Sequence, residues 1–310
     1  MKVLFVASGN RIGKKVNSFV LTQYESLVNE GIQMDIFPIV GKGIFGYLSN
    51  ILKLRKKIKE FSPDIIHAHY SVCGYLVSIA TLFINVKIVV SILGSFPKDR
   101  RIKLKLVKFC INNLWDKTIV KSERTLKQLG LNLPIIPNGV NLKQFNLIPK
   151  EEARKRLNFN KNLKYVIWVS NPIRKEKNWD LAEKSILALN DNNIVLLPIF
   201  DKKPNEVVVY MCAADILLMT SKNEGSPNVI KEAMACNCPI VTTNVGDVNW
   251  VLEDVDGTYI ADEMTEEAVI EKIKLALDFN KRTEGRNKII SLGLTTEQVA
   301  RKIINLYNTL

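Results

Sequence analysis

The 310-residue chain is poor in the residues that would define several common protein classes. It has five cysteines, at positions 73, 110, 212, 236 and 238. An odd number without a signal segment excludes a disulfide framework and points to buried thiols in a reducing compartment. Cys236 and Cys238 lack the two-residue spacing of a zinc knuckle, and no second pair answers them, so no metal site is read there. Histidine is scarcer still. His67 and His69 would share one face of a strand, but no third ligand accompanies them. His67 is read as satisfied within its sheet, and His69 as facing a binding cleft. No apolar run reaches the roughly 18 residues that a membrane span needs. The longest candidate, Val72–Val90, is interrupted by Gly74, Ser78, Asn85 and Lys87. The first ten residues, MKVLFVASGN, are too short for a secretory h-region and read as a buried strand. These absences predict a cytoplasmic protein, held at most peripherally on the inner face of the plasma membrane.

Acidic residues are also short in one half. Residues 1–149 hold 22 Lys and Arg against 8 Asp and Glu, whereas residues 150–310 hold 22 against 23. A basic half beside a neutral half predicts two domains with different partners. At 47% hydrophobic, the composition is that of an ordinary globular protein.

Short apolar strands alternate with helical stretches along the chain. In the first half, strands are expected at Val3–Ala7, Ile32–Pro38, Asp64–Ala68, Lys87–Ile92 and Thr118–Val120. Helices are expected at Asn17–Glu30 and, basic and amphipathic, at Leu48–Phe61. The rhythm pauses at Leu133–Leu147, LPIIPNGVNLKQFNL, where the prolines and Asn138-Gly139 are turn chemistry. It restarts with a helix at Glu151–Leu157 and strands at Tyr165–Val169, Ile194–Pro198, Asp215–Met219 and Ile240–Thr243. Helices are expected at Asp180–Leu189, Pro227–Ala235, Glu266–Leu277 and Thr296–Leu306. This is the pattern of α/β parallel sheets covered on both faces. We read two doubly wound, Rossmann-like domains, 1–147 and 148–295, facing a cleft, with a terminal helix, 296–310, packing back on the first. Ligands of such sheets bind beyond the carboxyl ends of the strands.

One such loop follows Asp215–Met219 and reads SKNEGSPNVIKEAMA. Ser226 suits a helix N-cap, Pro227 the first helical position, and Gly225 a close backbone approach to a ligand. The amides near Asn228 and Val229 would then face an anion such as a phosphate. Glu224 and Glu232, eight positions apart, could each accept hydrogen bonds from sugar hydroxyls on either side of it. Two surface acids with no shared task would give the same spacing. The earlier loop Gly9-Asn10-Arg11-Ile12-Gly13 lacks the third glycine of a dinucleotide fingerprint.

The stretch resembles the E-x7-E motif of the retaining glycosyltransferases of family four, which have the GT-B fold, in particular those of bacterial cell-surface polysaccharide synthesis. Other segments extend the likeness over nearly the whole chain. Asp64–His69 resembles the family's D-[IV]-[IV]-H-x-H strand end. Pro137–Asn141 is similar to its P-N-G-V-D linker, and Asn171–Lys177 stands where it has a G-R-x4-K phosphate loop. The resemblance implies a retaining glycosyltransferase that takes its sugar from a nucleotide diphosphate, UDP favoured. It implies that Glu232 holds the donor ribose and Glu224 the transferred sugar. Gly225, Ser226, Pro227, Asn228 and Val229, with Asn171, would contact the donor, and Lys177 would neutralise the leaving diphosphate. Pro172 falls where the family has Arg, and Arg174 is the proposed substitute. Leu93 falls where the family has His, which shifts attention to His69, Gly94 and Ser95. Gly13, Arg11 and Lys14 are the remaining acceptor-side residues. No cofactor and no catalytic metal are implied. A glycan or lipid-linked acceptor is implied, and the basic segments Lys53–Lys59 and Lys98–Lys108 suit an anionic membrane surface. Nucleic acid is not expected, because no stacking patch or known module accompanies the charge. A sugar-nucleotide epimerase and a non-catalytic nucleotide-sugar or polyanion binder are the alternatives on the same fold.

Overall fold

The computed structural model describes residues 1–10, 16–94 and 101–310. Arg11, Gly13, Lys14 and Ser95, and the start of the segment Lys98–Lys108, lie outside the described residues. The chain divides into two compact units. One is Met1–Gly139 with Thr296–Leu310, and the other is Val140–Thr295.

The first unit is a five-stranded parallel sheet: β1 (Lys2–Ser8), β2 (Gln33–Ile39), β3 (Ile65–His69), β4 (Lys87–Ile92) and β5 (Lys117–Val120), in the order β2-β1-β3-β4-β5. Its strands are apolar throughout because both faces are covered. Leu4 and Val6 enter one core with Leu54, Ile58, Leu76 and Val107, while Val3, Phe5 and Ala7 enter the other. That second core is closed by Val20 and Leu27 of helix Ser18–Asn29 and by Val299, Ile303 and Tyr307 of helix Thr296–Tyr307.

The helix expected over Leu48–Phe61 is two helices, Gly43–Leu48 and Ile51–Phe61. The buried Asn50 side chain donates to the carbonyls of Val40 (2.9 Å) and Gly46 (2.6 Å) and turns the chain between them. Ser62, at φ 48°, ends the second helix in the left-handed region just before Pro63.

The second unit repeats the topology. Strands β6 (Lys164–Trp168), β7 (Ile194–Pro198), β8 (Ile216–Met219), β9 (Ile240–Thr243) and β10 (Thr258–Ala261) are parallel, in the order β10-β9-β8-β6-β7. In both sheets the order reverses between the first strand and the third. In the second unit this places the switch point, where doubly wound sheets hold their ligands, at the carboxyl ends of β6 and β8.

Candidate active site at the β6–β8 switch point

Two loops meet at this switch point. After β6 the chain makes a tight turn. The Asn171 side chain accepts from the Ile173 amide at 3.0 Å, and a short 3-10 helix follows at Lys175–Lys177. After β8 runs Thr220–Pro227, which leads into helix Asn228–Ala235. Thr220, fully buried, joins the loops: its hydroxyl accepts from the Trp168 indole at 3.0 Å and donates to the Asn178 carbonyl at 2.8 Å. The Lys222 amide adds a bond to the Glu176 carbonyl at 2.9 Å.

This stitching brings Lys177 to Glu224. The ammonium donates to Glu224 Oε1 at 2.5 Å, with both side chains less than a fifth exposed. A cation and an acid that are 47 positions apart are thus held at the sheet's ligand end. A small recess beside them is lined by Trp168, Ser170, Lys177, Ser221 and Val229. The Ser221 hydroxyl is buried there without a hydrogen-bond partner. Such a group carries an unmet desolvation cost of about 1–3 kcal/mol, which a ligand's polar atom would relieve.

Glu232 lies one turn into the helix. Burial raises its carboxyl to about 7, against the opposing pull of Lys231 and Lys177. Glu232 is half-buried, and desolvation disfavours its ionised form.

The helix start differs from the expectation. Pro227 is the N-cap and Asn228 the first helical residue, so Ser226 does not cap. Its hydroxyl instead donates to Asp247 Oδ2 at 2.5 Å and accepts a bond from the Lys231 ammonium. Lys231 is 1% exposed, and its nitrogen lies 3.8 Å from Asp247 Oδ2. Burial lowers the Lys231 pKa and raises that of Asp247, each opposed by the other's charge. This buried Ser–Lys–Asp cluster clamps the loop from behind. Gly246 completes the clamp: its φ is +62°, and a Cβ there would meet the Gly225 carbonyl oxygen at 2.7 Å.

The remaining site residues named from the sequence are more scattered. Arg174 is exposed and paired with Glu176, Nε to Oε1 at 2.9 Å, and is not brought to Glu224. His69 does not face an opening. It is fully buried in the first unit, stacked on His67 at 4.6 Å and edge-on to Phe5 at 4.5 Å. Strand alternation puts both histidines on the face covered by helix Thr296–Tyr307. His67 bonds Tyr307 at 2.5 Å and Ser91 at 2.8 Å, whereas neither ring nitrogen of His69 has a partner. Burial holds both rings neutral, His67 at about 3 and His69 well below its ordinary value. Gly94 is exposed, with open space around it.

Sequence reading missed Thr220, Ser221, Lys231 and Asp247. Only Lys231 left a signal: with Met234 and Ala235 it falls at i, i+3 and i+4, on an otherwise apolar face.

Comparison with known proteins identifies the class. A sucrose-phosphate synthase from Thermosynechococcus elongatus matches with a TM-score of 0.79 at 16% identity, covering 100% of this chain and 98% of that one. HepE of Anabaena, solved in complex with UDP, matches at 0.75 and 16% identity, with both chains fully covered. Two parallel α/β units of this topology are the GT-B fold of glycosyltransferases.

The family follows from the sequence matches. Residues 147–278 match the glycosyl transferases group 1 family, and residues 15–122 match the glycosyl transferase 4-like family. Each half of the chain therefore carries a glycosyltransferase family domain. A Bacillus subtilis protein named for glycosyl transfer in teichuronic acid biosynthesis is 26% identical over 65% of this chain and 58% of its own length. The chain thus spans little more than half of that relative. An N,N'-diacetylbacillosaminyl-diphospho-undecaprenol alpha-1,3-N-acetylgalactosaminyltransferase of Campylobacter jejuni is 26% identical over 76% of this chain and 74% of its own length. A UDP-Gal:alpha-D-GlcNAc-diphosphoundecaprenol alpha-1,3-galactosyltransferase of Escherichia coli is 23% identical over 84% and 79%.

Proposed function

We propose that this glycosyltransferase moves a sugar from a UDP-sugar to a glycan or lipid-linked glycan acceptor, with retention of anomeric configuration, in the assembly of a cell-surface glycoconjugate. The observation that carries the reading is the Lys177–Glu224 pair at the β6–β8 switch point. Paired with each other, the two charges neutralise each other. An arriving donor separates their tasks. Its diphosphate takes Lys177, which then balances the charge that grows on the leaving group as the glycosidic bond breaks. Glu224, released, accepts hydrogen bonds from the sugar hydroxyls, and Glu232 accepts from the ribose. The amides at the start of helix Asn228–Ala235 face the phosphates, with Gly225 allowing close approach. Ser226 and Pro227 hold that loop in place, and Asn171 shapes the Lys177 loop. Arg174 is a second, solvent-side cation for the diphosphate.

No side-chain base is assigned. In front-face transfer the leaving phosphate takes the acceptor's proton, and retention follows from attack on the face that the phosphate leaves. The donor is held by the second unit and the acceptor by the basic first unit. The lysines of Lys53–Lys59 and Lys98–Lys108 suit attachment to anionic lipid at the inner face of the plasma membrane. The names of the Campylobacter and Escherichia relatives support a lipid-linked acceptor, and the UDP complex of HepE supports the donor class.

The test is incubation with UDP-, GDP- and TDP-sugars, following nucleoside diphosphate release, and NMR of the product anomer. Release that is unchanged in Lys177→Ala and Glu224→Ala would remove the assignment. An epimerised donor with no transfer would replace it with the epimerase reading.

A further inference from the structure

The first unit carries an apolar groove that the donor site does not use. It lies between helix Gly43–Leu48 and helix Ser71–Ala80 and measures about 460 Å³. Ile44, Tyr47, Leu48, Val72, Tyr75 and Ile79 form its walls. That volume falls within the roughly 300–1,000 Å³ range of small-ligand sites. The groove is open to solvent, with Ile44 77% exposed and Val72 47%. Leu52, on the next helix, is 77% exposed.

Two features say what fits. One is charge. The chain has no Asp or Glu between Ile36 and Lys59, and none between Ile65 and Lys98. Over the same stretches Lys42, Lys53 and Lys59 are exposed around the helices that build and flank the groove, while Lys56 pairs with Glu60 at 3.8 Å. The matching ligand is apolar along its length and anionic at its head. A second copy of this chain would bring the same cations against these and be repelled. The other feature is direction. The Tyr47 hydroxyl faces the Ser8 side chain, at the carboxyl end of β1. One wall of the groove, Tyr47, therefore reaches the ligand end of the first sheet, beside its own β1–β3 switch point.

We propose that this groove takes the hydrocarbon chain of a lipid-linked diphosphate acceptor, with the flanking lysines attracting its head. The inference rests on the lipid-linked acceptor of the proposed function and gives it a location. It makes the protein a reader of single lipid chains in addition to any attraction to the bilayer.

The test compares two probes with the same head, farnesyl diphosphate and isopentenyl diphosphate, titrated calorimetrically into the full chain. Their extra apolar surface differs enough that burying part of it gives the longer chain about a tenfold or greater advantage. Ile44→Asp and Val72→Asp, both at exposed positions, are expected to abolish that advantage while thermal unfolding stays cooperative. Equal affinity for the two probes in the wild type overturns the proposal. So does an advantage that survives both variants. A third arm measures binding to phosphatidylglycerol vesicles with and without undecaprenyl diphosphate. Tighter binding with the polyprenyl lipid supports the groove, whereas equal binding assigns the surface to the bilayer itself. A dimer by light scattering that Val72→Asp dissociates would assign it to a second copy. These titrations do not use a nucleotide sugar. Failure of nucleoside diphosphate release therefore sinks the proposed reaction and not the groove, and failure here leaves the reaction standing.

Discussion

Replacing Glu232 with Gln is expected to make the protein more stable and a weaker binder of its donor, with both effects governed by pH. In the folded chain burial lifts this carboxyl from 4.5 to about 7. A group whose folded pKa exceeds its unfolded value contributes fully below the unfolded pKa. It loses that contribution as pH rises through the folded pKa. Because the side chain is only half-buried, the ionised carboxylate costs on the order of 1–3 kcal/mol above pH 7, the shift at 1.36 kcal/mol per unit reduced by solvent screening. Glu232→Gln removes that cost. Its thermal midpoint should match the wild type near pH 4 and exceed it by several degrees at pH 8. Donor affinity should move the other way. Ribose hydroxyls donate to the carboxylate, so a protonated Glu232 must first lose its proton. Wild-type affinity for a UDP-sugar should then fall by up to tenfold per pH unit below about 7. The Gln variant should show a flat, weaker profile. A nucleotide sugar suits this assay because its phosphates, esterified at both ends, do not titrate near 7. Calorimetric titration from pH 5.5 to 8.5, paired with thermal melts, reads both halves. Parallel affinity profiles for wild type and variant, or a Gln variant that is less stable at pH 8, would refute the reasoning.

Three further outcomes are expected. Lys177→Ala should lower the rate of nucleoside diphosphate release about a hundredfold, the scale of losing one preorganised group at a developing charge; a change below threefold would sever Lys177 from the chemistry. Lys231→Met should cost ~3–5 kcal/mol in urea unfolding, because it strands the buried Asp247. Adding Asp247→Asn should recover much of that loss, and a loss below about 1 kcal/mol in the single variant would show that the cluster does not clamp the loop. Gly246→Ala should cost about 1–3 kcal/mol and weaken donor binding, since the backbone is left-handed there and the Gly225 carbonyl occupies the space a Cβ needs. A variant with wild-type donor affinity would contradict it.

The strand rhythm was legible because strands buried on both faces read as short apolar runs, and each doubly wound sheet supplies five of them. The β10 strand, Thr258–Ala261, escaped notice: its edge position leaves Thr258, Tyr259 and Ile260 only partly buried, so no continuous apolar run marks it. The break between Gly43–Leu48 and Ile51–Phe61 also escaped, since it depends on where the Asn50 amide finds carbonyls to bind. Ser226 looked like a helix cap because its spacing to the helix is right. A buried ammonium five positions on and a carboxylate 21 positions on claim its hydroxyl instead.

The two α/β halves, the uneven charge between them, and the placing of Glu224 and Glu232 on one loop and helix can be read along the chain. Those are local matters of periodicity, composition and spacing along a single stretch of chain. The meeting of Lys177 with Glu224, the burial of Lys231 against Asp247 and the sealing of His69 behind Phe5 and His67 arise only when the chain folds. Each of these depends on which strands lie side by side. The order β8-β6 places two loop ends from distant parts of the chain within hydrogen-bonding distance, and no spacing along the sequence encodes that.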